Sequence, residues 1–273
     1  MDNSLENALY VVATPIGNLE DITLRALRIL KNVDIIACED TRNTSILLNK
    51  YEINTKLISY HKFSETEKSD FLLNYLKEGK SIALVSDAGT PLISDPGNIL
   101  VQEVIKNNFK VISIPGASAI ITLLSSTYRK DEDFKFIGFI SRIKNQIIET
   151  ISKNNNENLI FYESANRLLE TLLIIQNEFP EKIVTIGREL TKKFEEIKTD
   201  NIQKIIEYYK TNTLKGEIVV FLHKSEIKEL NLEYEIKKLK KLNFKDKEIA
   251  NILSSLFEVN KNAVYKSAIE IKN

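Results

Sequence analysis

The feature that most constrains this chain is an alternation that begins at Leu9: a short β-branched or apolar run, then a longer segment with apolar residues at helical spacing. Chains patterned this way build a mostly parallel sheet with helices packed on it, because two parallel neighbours must be joined by a long crossover. In the first half the pattern predicts strands at Leu9 to Ala13, Val33 to Cys38, Lys56 to Tyr60, Ser81 to Ser86 and Lys110 to Ile114. Between them lie helices such as Asp21 to Lys31, where Ile22, Ala26 and Ile29 or Leu30 share a face and Asp21 is placed to cap the N-terminus. The helix after the fourth strand is predicted to begin at Asp95, with Pro96 in its first turn, where a missing N–H costs nothing.

A polar, charge-dense stretch from Ser125 to Asp133 closes this half, which places domain boundaries at 1–125 and 126–226. The second half predicts strands at Phe134 to Phe139, Asn158 to Tyr162, Lys182 to Ile186 and Glu217 to Leu222, with a helix over Ala165 to Glu178 and a turn at Asn154 to Asn158. The remaining 227–273 form a helical tail, in which Asp246 to Leu256 and Lys261 to Ile269 flank a tight turn at Phe257 to Asn260 in the manner of a helix-turn-helix. With 273 residues and 43% hydrophobic content, the chain has apolar material for two α/β domains.

Composition narrows the function. Cys38 is the only cysteine, and His61 and His223 are the only histidines, so disulfides, thiolate clusters and the usual zinc sites are all disfavoured. The longest apolar run, Ala117 to Leu124, is too short to span a bilayer, and MDNSLENALY lacks the basic and apolar segments of an export signal, so a cytoplasmic location is expected. A formal net charge of zero argues against whole-molecule attraction to nucleic acid and leaves only local patches. Asn231 to Asn273 carries nine Lys against five Glu and one Asp, which suits docking on RNA and, equally, a solvated or dimer-supporting helical pair.

Three strand ends run into loops of small and turn-forming residues: Thr14-Pro15-Ile16-Gly17-Asn18, Ser86-Asp87-Ala88-Gly89-Thr90-Pro91 and Pro115-Gly116-Ala117-Ser118-Ala119. Ligands of open α/β sheets bind at the carboxyl ends of strands, so the three together define one pocket. No G-x-G-x-x-G follows the first strand and no G-x-x-x-x-G-K-[ST] occurs, which disfavours the common dinucleotide and nucleoside-triphosphate sites; a G-x-S-x-G elbow is absent as well. Glu39-Asp40-Thr41-Arg42 adds charge to the same edge, or else is a helix start capped by its acidic residues and Thr41. Gly187-Arg188-Glu189-Leu190-Thr191-Lys192-Lys193 sets Arg, Glu and Lys directly after an apolar strand.

The runs TPIGNLEDIT, ACEDTR, LVSDAGTPLISDPG, IPGASA, LIFYESANR, GRELTK and KGEIV, in this order, closely resemble the ribosomal RNA small subunit methyltransferase I family of the tetrapyrrole-methylase superfamily, from about Leu9 to Leu222. The resemblance implies an α/β protein: two α/β domains of the tetrapyrrole-methylase type with S-adenosylmethionine in the cleft between them, in a homodimer. It also implies 2′-O-methylation of a cytidine in the decoding region of 16S rRNA. Carried onto this chain, the cofactor-binding residues are Ser86, Asp87, Ala88, Gly89, Thr90 and Pro91, then Pro115, Gly116, Ala117, Ser118 and Ala119, with Tyr162 and Gly216 from the second domain. The substrate side takes Thr14, Pro15, Gly17, Asn18, Arg42, Arg167, Arg188 and Lys192. Departures are few: Val-Val-Ala precedes the first loop, PGAS stands where PGPS is commoner, and Ser164-Ala165-Asn166-Arg167 replaces Ser-Pro-His-Arg, which removes a histidine there.

Transfer from a sulfonium is an in-line displacement, so positioning dominates, and a ribose hydroxyl gains from a proton acceptor as it attacks. Candidates are Glu39, Asp40, Glu189 and Lys192. Lys192 assisted by Glu189 is the expected choice, since Arg188 and apolar walls would shift the amine towards neutrality. Alternatively Lys192 stays charged and grips a phosphate. No metal requirement is visible. Competing readings are a methylase of a tetrapyrrole or a protein side chain, and a non-catalytic nucleotide-binding regulator.

Overall fold

The computed structural model describes residues 5–61, 65–129, 133–212, 214–225, 232–257 and 259–271. Five parallel strands, β1 (Ala8–Val12), β2 (Ile35–Cys38), β3 (Leu57–Ser59), β4 (Ile82–Val85) and β5 (Lys110–Ile114), form the first sheet in the order β3-β2-β4-β1-β5. Its helices are α1 (Leu24–Asn32), α2 (Thr41–Lys50), α3 (Glu65–Lys77), α4 (Asn98–Lys106) and α5 (Ala119–Ser125). Tyr10, Val12, Ile36, Cys38 and Ala83 pack with α1 and α2, while Leu9, Val11, Ile35, Ala37 and Ile82 pack with α3 and α4. Burial on both faces is why β1, β2 and β4 read as unbroken apolar runs instead of alternating ones.

Two helix starts differ from the sequence expectation. Asp21 does not cap α1; it ends a 3₁₀ turn, Leu19–Asp21, and the cap is Thr23, whose hydroxyl accepts from the Ala26 N–H at 3.1 Å. α4 begins at Asn98, not Asp95, because Gly97 takes φ 134° and its N–H donates to the Glu65 carboxylate at 2.7 Å. Residues 91–97 are therefore an irregular bend.

The second sheet is mixed. β6 (Lys135–Phe139), β7 (Leu159–Ser164), β8 (Ile183–Arg188), β9 (Glu196–Asn201) and β10 (Glu217–Leu222) follow the order β6-β7-β10-β8-β9, with β6 parallel to β7 and the other pairs antiparallel. β9 escaped the sequence reading because EIKTDN has no apolar alternation; as an edge strand it is held by β8 and tolerates charge. One face of this sheet packs on α6 (Lys144–Lys153), α7 (Ala165–Glu178) and α8 (Ile202–Thr211). The other face, with Ile160, Val219 and Phe221, meets Ile16 and the α5 residues Ile120, Leu123 and Leu124. Helix α5 thus packs on the second sheet, close enough that a Cβ on Gly187 would stand 2.7 Å from Leu123 Cδ1. Residues 1–224 form one compact unit and 225–273 another.

At the foot of the second sheet the buried Lys182 ammonium donates to the carbonyls of Asn155 (3.0 Å) and His223 (3.2 Å). Burial, then the Lys182 charge, holds the His223 imidazole down at about 4, against an ordinary 6.5. The unfolded chain binds a proton there below 6.5 that the folded one refuses, so stability is lost as pH falls from 6.5 towards 4. Urea midpoints across that range are expected to fall less in His223→Gln than in the parent; parallel curves would reject the assignment.

The second unit comprises α9 (Leu232–Lys241), α10 (Asp246–Phe257) and α11 (Lys261–Glu270) around Ile236, Ile249, Leu253 and Val264. The expected turn between the last two helices ends in Asn260, whose side chain accepts from the N–H groups of Asn262 and Ala263; Glu258 within it lies outside the described residues. Among the described residues no helix is long and apolar enough to cross a membrane.

Candidate active site

Strands β4, β1 and β5 are neighbours, and the chain leaves β1 for α1 on one face and β4 for α4 on the other. Such a divergence opens a crevice at the carboxyl ends of the strands. The three small-residue loops meet there. Thr14 and Gly89 exchange backbone hydrogen bonds (2.9 and 3.1 Å), the Thr14 hydroxyl donates to the Ser86 carbonyl at 3.1 Å, and the Thr90 hydroxyl donates to the Ala117 carbonyl at 3.3 Å. Gly116 lies so close to the first loop that a Cβ would come within 2.9 Å of Ala13 Cβ, which explains small residues at both positions.

A cavity of about 400 Å³ opens between the two sheets. The first half supplies Ile16, Asp87 to Thr90, Ile93 to Asp95, Ser118 and Ala119; the second supplies Phe139, Tyr162 to Ser164, Leu190 and Gly216 to Val219. The Tyr162 ring stands 5.2 Å from Phe136 and 5.3 Å from Phe139, an aromatic wall. Of the expected cofactor residues, Ser86, Pro91, Pro115, Gly116 and Ala117 do not line this cavity but stand in the loops that shape it.

Sequence reasoning missed Asp95 because a helix was expected to start on it; the Asp-Pro-Gly triplet was the available signal for a break. Its carboxyl makes no hydrogen bond or ion pair with a described residue, and burial, followed by the charges of Glu39 and Asp87, pushes it up to about 6. Burial, with Asp95 adding to it, also raises the Tyr162 hydroxyl. Glu163, a buried carboxylate of β7, was missed as well; it accepts from the Ser164 N–H (2.6 Å) and the Thr171 hydroxyl (2.7 Å) and pairs with Arg167 at 3.1 Å.

A second cavity of about 220 Å³ adjoins the first, sharing Ile16, Asp87, Ala88 and Glu217, and is lined further by Thr14, Pro15, Gly17, Asn43 and Lys192. The stem of Lys192 lies against Gly17, where a Cβ would stand 2.8 Å from its Cε, and the Asn18 N–H donates to the Thr191 hydroxyl at 3.1 Å. Asp87 is oriented by the Asp40 N–H and the Asn43 amide, each at 3.0 Å.

The expectation that Lys192 drifts towards neutrality is reversed. Its Nζ lies 2.9 Å from both Glu189 and Glu217, and although burial works against the charge, these two carboxylates outweigh it and raise the pKa. Glu217 is 25 residues away in sequence, so nothing local announced it. Glu189 mirrors this: burial opposes its charge, but the Glu217 N–H and Lys192 win and hold it down. Lys192 and Glu189 thus form an ion pair that favours the charged amine. Asp40 caps α2, in place of Thr41, and hydrogen bonds from Arg42 hold it at about 2, while Arg42 itself is exposed. Glu39 lines neither cavity; burial and then Asp87 raise its pKa. Arg167 is engaged by Glu163 and the Ser141 carbonyl, and Arg188 by Glu196, which also accepts from the Tyr208 and Tyr209 hydroxyls; neither arginine lines either of these two cavities.

Paired sheets, strand-end loops and a cleft between them are those of a tetrapyrrole-methylase-type protein. The family model for Tetrapyrrole (Corrin/Porphyrin) Methylases matches residues 8–206. A solved structure, uroporphyrin-III C-methyl transferase from Thermus thermophilus complexed with S-adenyl homocysteine, superposes with a TM-score of 0.56 over 78% of this chain and 96% of that one, at 16% identity. Ribosomal RNA small subunit methyltransferase I of Rickettsia prowazekii (strain Madrid E) is 43% identical over 84% of each chain, and that of Pasteurella multocida (strain Pm70) is 38% identical over 98% of this chain and 99% of its own. The chain belongs to the ribosomal RNA small subunit methyltransferase I family.

Proposed function

We propose that this protein transfers the methyl group of S-adenosylmethionine to the 2′-hydroxyl of a cytidine ribose in the decoding region of 16S rRNA, acting in the cytoplasm as a homodimer on the small ribosomal subunit. The observation that carries the reading is the junction at Asp87 and Ala88 of two adjoining cavities, one walled largely by backbone and apolar side chains, the other edged by a charged lysine. The kinship with rRNA methyltransferases and the S-adenyl homocysteine of the solved neighbour support it.

The larger cavity suits the cofactor. Gly89 at φ 76° brings backbone to its surface in a conformation that a side chain would strain, and Ala88 to Thr90, Ser118, Ala119, Tyr162 and Gly216 would hold the ligand. When bound, it supplies an electrophilic methyl carbon. This chain's part is to hold the ribose oxygen in line with that carbon and exclude water, and positioning of that kind accounts for much of the rate of a displacement. In the smaller cavity, Lys192 keeps its proton and meets an RNA phosphate, and the basic helical tail adds a second contact with RNA.

Lys192→Ala is expected to raise KM for the small subunit about tenfold, or ~1.4 kcal/mol, with kcat nearly unchanged, because a phosphate grip serves ground state and transition state alike. A fall in kcat with KM unchanged would reject that role. The function itself is tested by incubating the protein with small subunits and labelled S-adenosylmethionine, then mapping the label. Label on a base, or none on a ribose, overturns the proposal.

A further inference from the structure

The loop from β8 to β9, residues 189–195, is pinned more firmly than a surface connection needs. Glu189 at φ 50° and Thr191 at φ 66° both hold left-handed backbone, uncommon for any side chain and rarer still for a β-branched one. Strain of this kind persists only where its surroundings over-determine it, and it gathers at functional sites. Here the Glu189 carboxylate accepts from the Glu217 N–H at 3.0 Å and from Lys192 Nζ at 2.9 Å. The Thr191 hydroxyl accepts from the Asn18 N–H, and the Glu195 carboxylate accepts from the Thr191 N–H.

This path sorts the side chains of the loop. Leu190 turns into the wall of the larger cavity and Lys192 to the edge of the smaller one, whereas Phe194 is left outside, 66% exposed and lining neither. Lys193 Nζ lies 5.6 Å from the centroid of the Phe194 ring. Phe194 follows Lys192 by two residues, a Cα span of at most about 7 Å. A fixed aromatic face beside two ammonium groups matches a nucleotide, which offers a flat base and a phosphate. The carboxylates of the region do not oppose a phosphate, because Glu189 and Glu217 are paired with Lys192 and Glu195 is turned back onto the Thr191 N–H.

We propose that Phe194 is a stacking platform for a base of the RNA strand next to the target nucleotide, with Lys193 beside that nucleotide's phosphate. The inference rests on the reading above that RNA is the acceptor. Bringing a ribose hydroxyl into a cleft draws its nucleotide out of the stack, and the neighbouring base loses one of its faces. A ring at the rim replaces the lost contact, and a loop that is already held adds little ordering cost on binding. Stacking tolerates any base, so Phe194 anchors the strand and leaves the choice of nucleotide to the cavities.

The test is steady-state kinetics on small subunits with Phe194→Ala, Phe194→Leu and Phe194→Trp, and sedimentation velocity of each protein. Alanine and leucine should each raise KM for the subunit about 10- to 100-fold, the loss expected of one stacked base. Their kcat and KM for S-adenosylmethionine should stay within threefold of the parent's, and tryptophan, a larger aromatic face, should restore KM for the subunit to within threefold. A leucine variant that matches the parent, a tryptophan variant as weak as alanine, or a loss confined to kcat overturns the proposal. A smaller sedimentation coefficient in the alanine variant would show that a second copy of the chain covers the ring, and overturns it too. Label on RNA in the parent with equal KM in all four proteins would leave the functional reading standing and this inference refuted; a parent that labels no RNA refutes both.

Discussion

Gly89→Val is expected to lower affinity for S-adenosylmethionine by at least ~100-fold and methyl transfer with it, because the substitution fails twice at one position. A left-handed backbone costs an L-residue about 1–2 kcal/mol, and more when it is β-branched. Gly89 sits at φ 76° inside the two-bond bridge with Thr14, so the bridge cannot relax without pulling the first and second loops apart. The new Cβ would stand 3.2 Å from Ile16 Cγ2, tight against the first loop, and 3.6 Å from the Ala117 carbonyl, in ordinary contact with the third. The γ-methyls must then find room at the wall of the cleft. Gly79→Val is the control: at φ 83° with nothing within 4 Å of its Cβ, it carries the backbone cost without touching the cleft. Calorimetric titration of both variants decides; equal affinities would show that Gly89 does not wall the ligand site.

Phe161→Ala should be the most destabilising single change in the second sheet, by about 3–5 kcal/mol, the cost of emptying a packed aromatic site. Phe161 is fully buried in β7, between β6 and β10, and packs with Leu168, Leu172, Ile186 and Val220. Strand neighbours point to opposite faces, so the ring beside it, Tyr162, belongs to the cleft while Phe161 belongs to the core. Urea unfolding should show the loss, whereas cofactor affinity measured well below the transition should stay near that of the parent. A loss under 1.5 kcal/mol would mean that the site collapses around the gap instead of leaving a cavity.

Much of the fold was legible because local physics determines it. Strands buried on both faces must be apolar throughout, so β1, β2 and β4 stood out as runs, and α7 was bounded as Ala165 to Glu178 by its period. The strand-end loops were equally plain, since backbone that turns sharply and packs closely requires Gly, Pro and Ala. β9 stayed hidden because a charged edge strand is specified by its partner, β8, and not by its own pattern.

The site was legible in its walls but not in its chemistry. Sequence alone determined that loops from β1, β4 and β5 would converge on a pocket, because neighbouring strand ends in a parallel sheet leave their small residues side by side. Only the tertiary structure decided what each charge there does. Lys192 acquires its second carboxylate from β10, Arg167 is drawn onto Glu163, and a left-handed glycine turns Asp95 out of a helix and into the cleft. The protonation state of a side chain depends on the charges and burial that folding brings within a few ångströms of it, and residues distant in sequence supply most of them.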